Sequence, residues 1–197
     1  MDFSAKIIER PPSAESILKQ IRFGTAKGLT TTAKQAQSAV QAALRSKFII
    51  RNNWLNQNTP LGIKITPATP ATQTAEVKTA ARFLPLQEAG GPKIPYKNFL
   101  AIPTKNARST PTAKIPKAKL PKNLQNAFIL TTKSGVKLLA IRKSRGKNKG
   151  IIPMYLLVPR AQIKSAHIFY DPIHHVVAQN LSKNISEGID FALKTAK

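Results

Sequence analysis

The chain contains no cysteine. Disulfides, zinc ribbons and thiol catalysis are excluded at once. Acidic residues are nearly as scarce: eight Asp and Glu stand against 32 Lys and Arg in 197 residues. Six of the eight (Asp2, Glu9, Glu15, Asp171, Glu187 and Asp190) lie toward the termini, so neither a two-carboxylate hydrolase nor a magnesium site finds support. Long apolar runs are missing too. Phe48-Ile49-Ile50, and Ile151 to Val158 with a proline inside, fall far short of the about 20 residues that a membrane span needs. The first residues, Met1-Asp2-Phe3-Ser4-Ala5-Lys6, carry an early acid and no apolar signal region. These absences predict a soluble chain made in the cytoplasm, with no membrane partner.

What is abundant is positive charge. The formal net charge is +24 and the sequence pI about 10.8. Such a balance disfavours a freely diffusing metabolic enzyme and favours a polyanionic partner. The charge is also regional. From Ala89 to Tyr170 there is no acid, and those 82 residues hold 17 Lys and Arg. The first 88 residues hold 12 bases and 5 acids, and the last 27 hold 3 of each. A basic coat serving solubility alone does not require acids to be excluded from so long a stretch.

Ser13, after Pro11-Pro12, reads as a helix N-cap, with Glu15 in the first turn where the helix dipole favours an anion. Ile17, Leu18 and Ile21 begin an apolar stripe, and Gly24 and Gly28 loosen it. Ala26, Leu29, Ala33, Ala36, Val40, Ala43 and Lys47 then recur at alternating spacings of 3 and 4, widened by Leu44. This predicts an amphipathic helix over about 25–47, whose small residues permit close packing. Leu61–Thr66 alternates as a half-buried strand, 68–73 is a turn, and Thr74–Thr79 is the antiparallel return. A short apolar helix or turn follows at 80–89, closed by Gly90-Gly91-Pro92.

The run from Pro60 to Pro121 holds ten of the fifteen prolines. Residues 92–122 form a basic, proline-rich strap or extended loop, with Lys114, Lys117, Lys119 and Lys122 in its last part. In isolation this composition is mobile or polyproline-like, and order in it implies a partner that holds it. Ala127–Thr132 and Val136–Arg142, joined across Gly135, read as a hairpin. Arg142, Lys143, Arg145, Lys147 and Lys149 make a basic loop, followed by a strand at 152–159. Asp171-Pro172 opens a C-terminal helix as N-cap and N1 proline. Its stripe runs through Ile173, Val176, Val177, Leu181, Ile185, Ile189, Ala192 and Leu193. The pattern as a whole predicts one α+β domain over 1–197: N-terminal amphipathic helices, an antiparallel sheet, and a C-terminal helix packed on that sheet.

Candidate sites are few. His167, His174 and His175 have only Asp171 nearby, which serves more simply as a helix cap, so no catalytic or metal site is assigned. Gly90-Gly91 and Gly146 to Gly150 match no phosphate-binding loop or dinucleotide fingerprint. The basic loop at 142–149 reads either as a solvated hairpin tip or as a contact for a phosphate backbone or an acidic protein surface. Without interleaved aromatics, such contact is salt-sensitive and weakly sequence-dependent. Lys114, Lys117, Lys119 and Lys122 are assigned to the same polyanion or partner contact. Trp54 is a core or interface anchor. Leu29, Val40 and Leu44 on the first helix and Val177, Leu181, Ile185 and Ile189 on the last are assigned to core or subunit packing.

Several blocks, in order, resemble tail-completion proteins of long-tailed bacteriophages, the minor tail protein Z type and its head–tail joining relatives. They are Phe23-Gly24-Thr25-Ala26-Lys27-Gly28-Leu29-Thr30-Thr31-Thr32-Ala33 with the Gln/Ala-rich stretch to Ala43; Ile63 to Thr69; Ala81 to Gly91, with its Glu-x-Gly-Gly ending; and Lys149-Gly150-Ile151-Ile152-Pro153-Met154 with the terminal helix. The strap at 104–122 lies outside the resemblance. The resemblance implies a structural virion protein at the head-proximal end of a tail, in a six-fold ring that joins the tail to a DNA-filled head. Its implied partners are further copies of itself, tail-tube, terminator or connector proteins, and packaged double-stranded DNA. It implies no catalysis and no cofactor. Two other readings of the charge stand beside it: a basic nucleic-acid-binding architectural or ribosomal-type protein, and, more weakly, an enzyme using His174 or His175.

Overall fold

The computed structural model describes residues 13–143 and 150–195. The fold is α+β, with eight short strands, all paired antiparallel, and three α-helices among the described residues. The chain divides into two compact units: Met1–Ala42 with Leu55–Ala80 and Phe169–Lys197, and Ala43–Trp54 with Ala81–Ile168.

The first unit is built on two long helices. α1 spans Ala14–Lys47 without interruption, where the sequence periodicity places the amphipathic helix from about residue 25. Its start is fixed as expected: the Ser16 N–H donates to Ser13 Oγ (3.2 Å), and Glu15 pairs with Lys19 one turn on (2.8 Å). Gly24 and Gly28 do not break it, because they make room for α3, which spans Tyr170–Thr195. A Cβ on Gly24 would lie 2.5 Å from the Ile189 Cα, and one on Gly28 2.5 Å from the Ile185 Cα. On the other side, a Cβ on Gly188 would collide with the Gly24 carbonyl oxygen. Small residues on both helices thus let the two backbones touch. Asn184, buried beside this crossing, donates from Nδ2 to Thr32 Oγ1 and Gln35 Oε1, both at 2.9 Å. The Thr32 hydroxyl in turn donates to the Gly28 carbonyl (3.0 Å). α3 begins one residue before Asp171, so that acid sits within the first turn.

β1 (Lys64–Thr66) and β2 (Glu76–Lys78) form a hairpin in the same unit, with Ile65 opposite Val77. The expected strand from Leu61 is shorter, since Leu61 and Gly62 belong to the preceding turn. Glutamines on the polar face of α1 tie this segment down. Gln37 Nε2 donates to the Ile63 carbonyl (2.6 Å) and Gln41 Nε2 to that of Leu55 (3.2 Å).

The second unit is a four-stranded antiparallel sheet in the order β4-β7-β6-β5: β4 Leu100–Pro103, β5 Ala127–Thr131, β6 Lys137–Lys143 and β7 Gly150–Val158. A short pair, β3 (Gly91–Lys93) with β8 (Ala161–Ile163), and the helix α2 (Leu84–Ala89) complete it. Tyr155, Met154 and Ala107 form its buried cluster, with Ile115, Leu124, Leu139, Ile141 and Ile152 packed around them. Trp54 meets Phe83 edge-on at 5.1 Å.

Candidate functional site

The basic strap is held by its own chain. Its start docks on β7: the Thr104 N–H donates to the Met154 carbonyl (3.0 Å), and Thr104 Oγ1 and Asn106 Nδ2 donate to the Pro153 carbonyl (2.7 and 2.9 Å). Ala107, Ile115 and Leu124 supply the apolar contact on the same sheet. Further on, the Tyr155 hydroxyl donates to the Lys119 carbonyl (2.6 Å), and Arg51 Nε donates to that of Pro111 (3.0 Å). Proline removes backbone donors from this segment, so its carbonyls are taken by side chains from elsewhere in the unit. Two 3-10 turns, Lys117–Lys119 and Pro121–Asn123, close the strap. The sheet supplies the apolar surface that the strap's own composition lacks.

Burial pushes the Tyr155 phenol above its ordinary value of 10.0, and the positive charge of Arg108 partly opposes this. Arg108 Nε is itself buried without a hydrogen-bond partner among the described residues.

Electrostatically the two units are unlike. The second holds 21 of the 32 Lys and Arg and one of the eight acids. That acid, Glu88, is buried. Its Oε2 accepts the Ile168 N–H (2.7 Å), and its backbone carbonyl accepts the Ser165 hydroxyl (2.9 Å). Gly90, at φ +74°, lets the same segment come close: a Cβ there would lie 2.7 Å from the Ser165 nitrogen. The Glu-x-Gly-Gly element is thus a local clasp between α2 and residues 165–168. With Glu88 turned inward, the second unit offers its cations no exposed carboxylate of its own. The first unit differs, with surface pairs Lys19–Glu15, Lys78–Glu76 and Lys183–Glu187.

Of the assigned contact residues, Lys114, Lys117 and Lys122 are exposed on the strap. Lys119 is exposed as well, but its Nζ donates to the Asn106 carbonyl (2.9 Å), which ties it into the strap. Arg142 and Lys143 end β6, and the Arg142 guanidinium lies over Phe128 at 5.2 Å. Arg145, Lys147 and Lys149 lie outside the described residues. Of the packing residues, Val40 and Leu44 are fully buried, while Ile185 and Ile189 flank the glycine crossing. Leu29, Val177 and Leu181 line an apolar cleft of about 340 Å³ in the first unit, together with Val77 and Ile173. His174 is at the rim of that cleft, without a cluster of ligating groups among the described residues.

Residue-by-residue reading missed other parts of the cationic surface. Lys105, Lys133, Lys137, Arg160 and Lys164 are also exposed in the second unit. Between β3 and β4, Tyr96 stands fully in solvent and Ile94 is largely exposed, next to Lys93 and Lys97. The signal for these residues is the acid-free window itself, which maps almost entirely onto one unit.

No protein-family model, curated protein or solved structure matches this chain. No helix of the described residues is long and apolar enough to cross a membrane.

Proposed function

We propose that this chain is a structural protein whose second unit contacts a polyanion, and that it serves as a tail-completion or neck component of a phage virion. The observation that carries the polyanion reading is the segregation of charge: a folded unit with 21 bases and one acid, that acid buried. The virion assignment rests on the ordered sequence blocks that resemble tail-completion proteins. On this reading the chain forms a six-fold ring with tail-tube, terminator or connector neighbours, and its basic surface faces packaged DNA or an acidic neighbour. The strap, pinned at Thr104, Pro111 and Lys119, presents Lys114, Lys117 and Lys122 as a fixed array, so binding costs little further conformational entropy.

A second reading draws on one specific observation. Tyr96, exposed between Lys93 and Lys97, combines an aromatic face with cations, the arrangement on which single-stranded nucleic acid stacks. It favours a nucleic-acid-binding architectural protein.

Electron microscopy of purified particles separates the two. Density for the chain in a ring at a head–tail junction supports the first. Finding it in a ribosome or along free nucleic acid overturns it. Replacing Arg142, Lys143, Arg145, Lys147 and Lys149 by Gln is expected to impair head–tail joining, and normal infectivity of that variant would remove the loop from the contact.

A further inference from the structure

The four-stranded sheet ends on β5, and the phase of its hydrogen bonds fixes what that edge offers. The Thr132 N–H donates to the Val136 carbonyl (2.9 Å), which makes 132/136 a bonded pair. Bonded and non-bonded pairs alternate along an antiparallel ladder. In the register Thr131↔Lys137, Leu130↔Leu138, Ile129↔Leu139, Phe128↔Ala140, Ala127↔Ile141, the bonded positions are therefore Leu130 and Phe128. Ala127, Ile129 and Thr131 turn their N–H and C=O groups away from β6, to the open side. Among the described residues nothing pairs with them.

Side chains follow the same phase. Ile129 shares a face with Leu139, and Ala127 with Ile141, both of which pack against the Tyr155 cluster under the strap. That apolar row runs out to Ile129, 57% exposed, and stops. Natural edges are blunted by Lys, Pro or a bulge. The opposite edge, β4, ends on Pro103, whereas β5, Ala-Phe-Ile-Leu-Thr, has no such residue. Lysines stand instead beyond its two ends: Lys122 in the preceding 3-10 turn, and Lys133 in the turn that follows.

We propose that the β5 edge is a docking site for an extended acidic peptide segment of a partner protein, which adds to the sheet as a fifth strand. A peptide supplies both donors and acceptors to the three outward positions. A DNA backbone supplies acceptors only and leaves the β5 carbonyls unpaired. A second copy of the same edge brings Lys122 and Lys133 against their own kind, with no exposed acid in the unit to offset them. An acidic strand pairs with these lysines and covers Ile129 with a side chain of its own, about 5 Å away at ordinary strand spacing. This inference stands on the sheet edge and is independent of the virion reading.

The test uses the whole chain and a blocked synthetic peptide of alternating valine and threonine between terminal glutamate pairs. Residue-resolved amide exchange is expected to slow at Ile129 and Thr131 by at least about tenfold on peptide addition, with Phe128 and Leu130 already protected. Ile129→Pro removes an outward N–H without costing a bond to β6, so that variant folds and loses the peptide effect. Lys122→Gln with Lys133→Gln keeps the edge and weakens binding severalfold at low salt. Equal slowing by a lysine-ended peptide, by duplex DNA, or by raising the protein concentration alone would overturn the proposal. So would an undiminished peptide effect in both variants.

Discussion

Gly24 of α1 lies against Ile189 of α3 so closely that a single added Cβ would sit 2.5 Å from the Ile189 Cα. Gly24→Ala improves intrinsic helix propensity by about 1 kcal/mol, yet the helices must separate to accept the methyl. Overpacking of this kind costs about 1–3 kcal/mol, so the net effect is a less stable first unit. Gly28→Val is expected to cost more, because it adds a branched side chain where a first carbon alone would already lie 2.5 Å from both the Asn184 carbonyl oxygen and the Ile185 Cα. Thermal unfolding followed by far-UV circular dichroism reads both. An Ala variant as stable as the parent would show that the crossing has slack.

Burial of the Tyr155 phenol makes the fold less stable at alkaline pH. Burial raises the phenol above 10.0 in the folded chain, so above that pH the unfolded chain releases the proton first. Unfolded chains then bind fewer protons than folded ones, and stability falls as pH rises past about 10. Tyr155→Phe removes this contribution to the slope. It also removes the bond to the Lys119 carbonyl, at a cost of about 1 kcal/mol at neutral pH. Denaturant midpoints across pH 8–11 compare the two chains (a range set around the ordinary phenol value). An unchanged alkaline slope in the variant would assign it to other groups.

Where the sequence is readable, side-chain periodicity carries the information. The stripe through Ala26, Ala33, Ala36, Val40 and Leu44 is the buried face of α1, and the hairpin across Gly135 stands where its turn signal places it. Gly24 and Gly28 look like weak points because a periodicity count scores side chains, and their role is the absence of one. β3, β4 and β8 are three or four residues long and pair with distant partners, so no local pattern announces them. The strap's order is likewise non-local. It comes from Tyr155, Met154 and Pro153, which follow it by tens of residues. The cationic surface is legible as a window without acids. That its one neighbouring acid, Glu88, faces inward is not, since Gln87-Glu88 reads like any polar end of a short helix.

Glu88 offers a direct check of that inward role. Glu88→Ala strips the Ile168 N–H of its acceptor inside the second unit, and a buried donor left unpaired costs about 1–3 kcal/mol. Glu88→Gln retains an acceptor oxygen at the same reach and is expected to cost less than Ala. The ranking parent, Gln, Ala in chemical denaturation identifies a hydrogen-bonding clasp. Equal loss in both variants would identify the negative charge as the essential feature.

The division of charge between the units predicts where salt dependence resides. If the strap meets phosphates, replacing Lys114, Lys117 and Lys122 by Gln removes cations whose binding releases counterions. The slope of log K against log salt for duplex DNA then shrinks by up to about 0.9 for each phosphate no longer neutralised. Removing the same number of charges from the first unit, by Lys19→Gln, Lys34→Gln and Lys183→Gln, leaves that slope nearly unchanged. Two of those three lysines already pair with Glu15 and Glu187. Fluorescence anisotropy with a short labelled duplex over a salt series measures both triple variants. Equal slopes in the two would mean that DNA responds to the net charge of the chain and not to the acid-free unit.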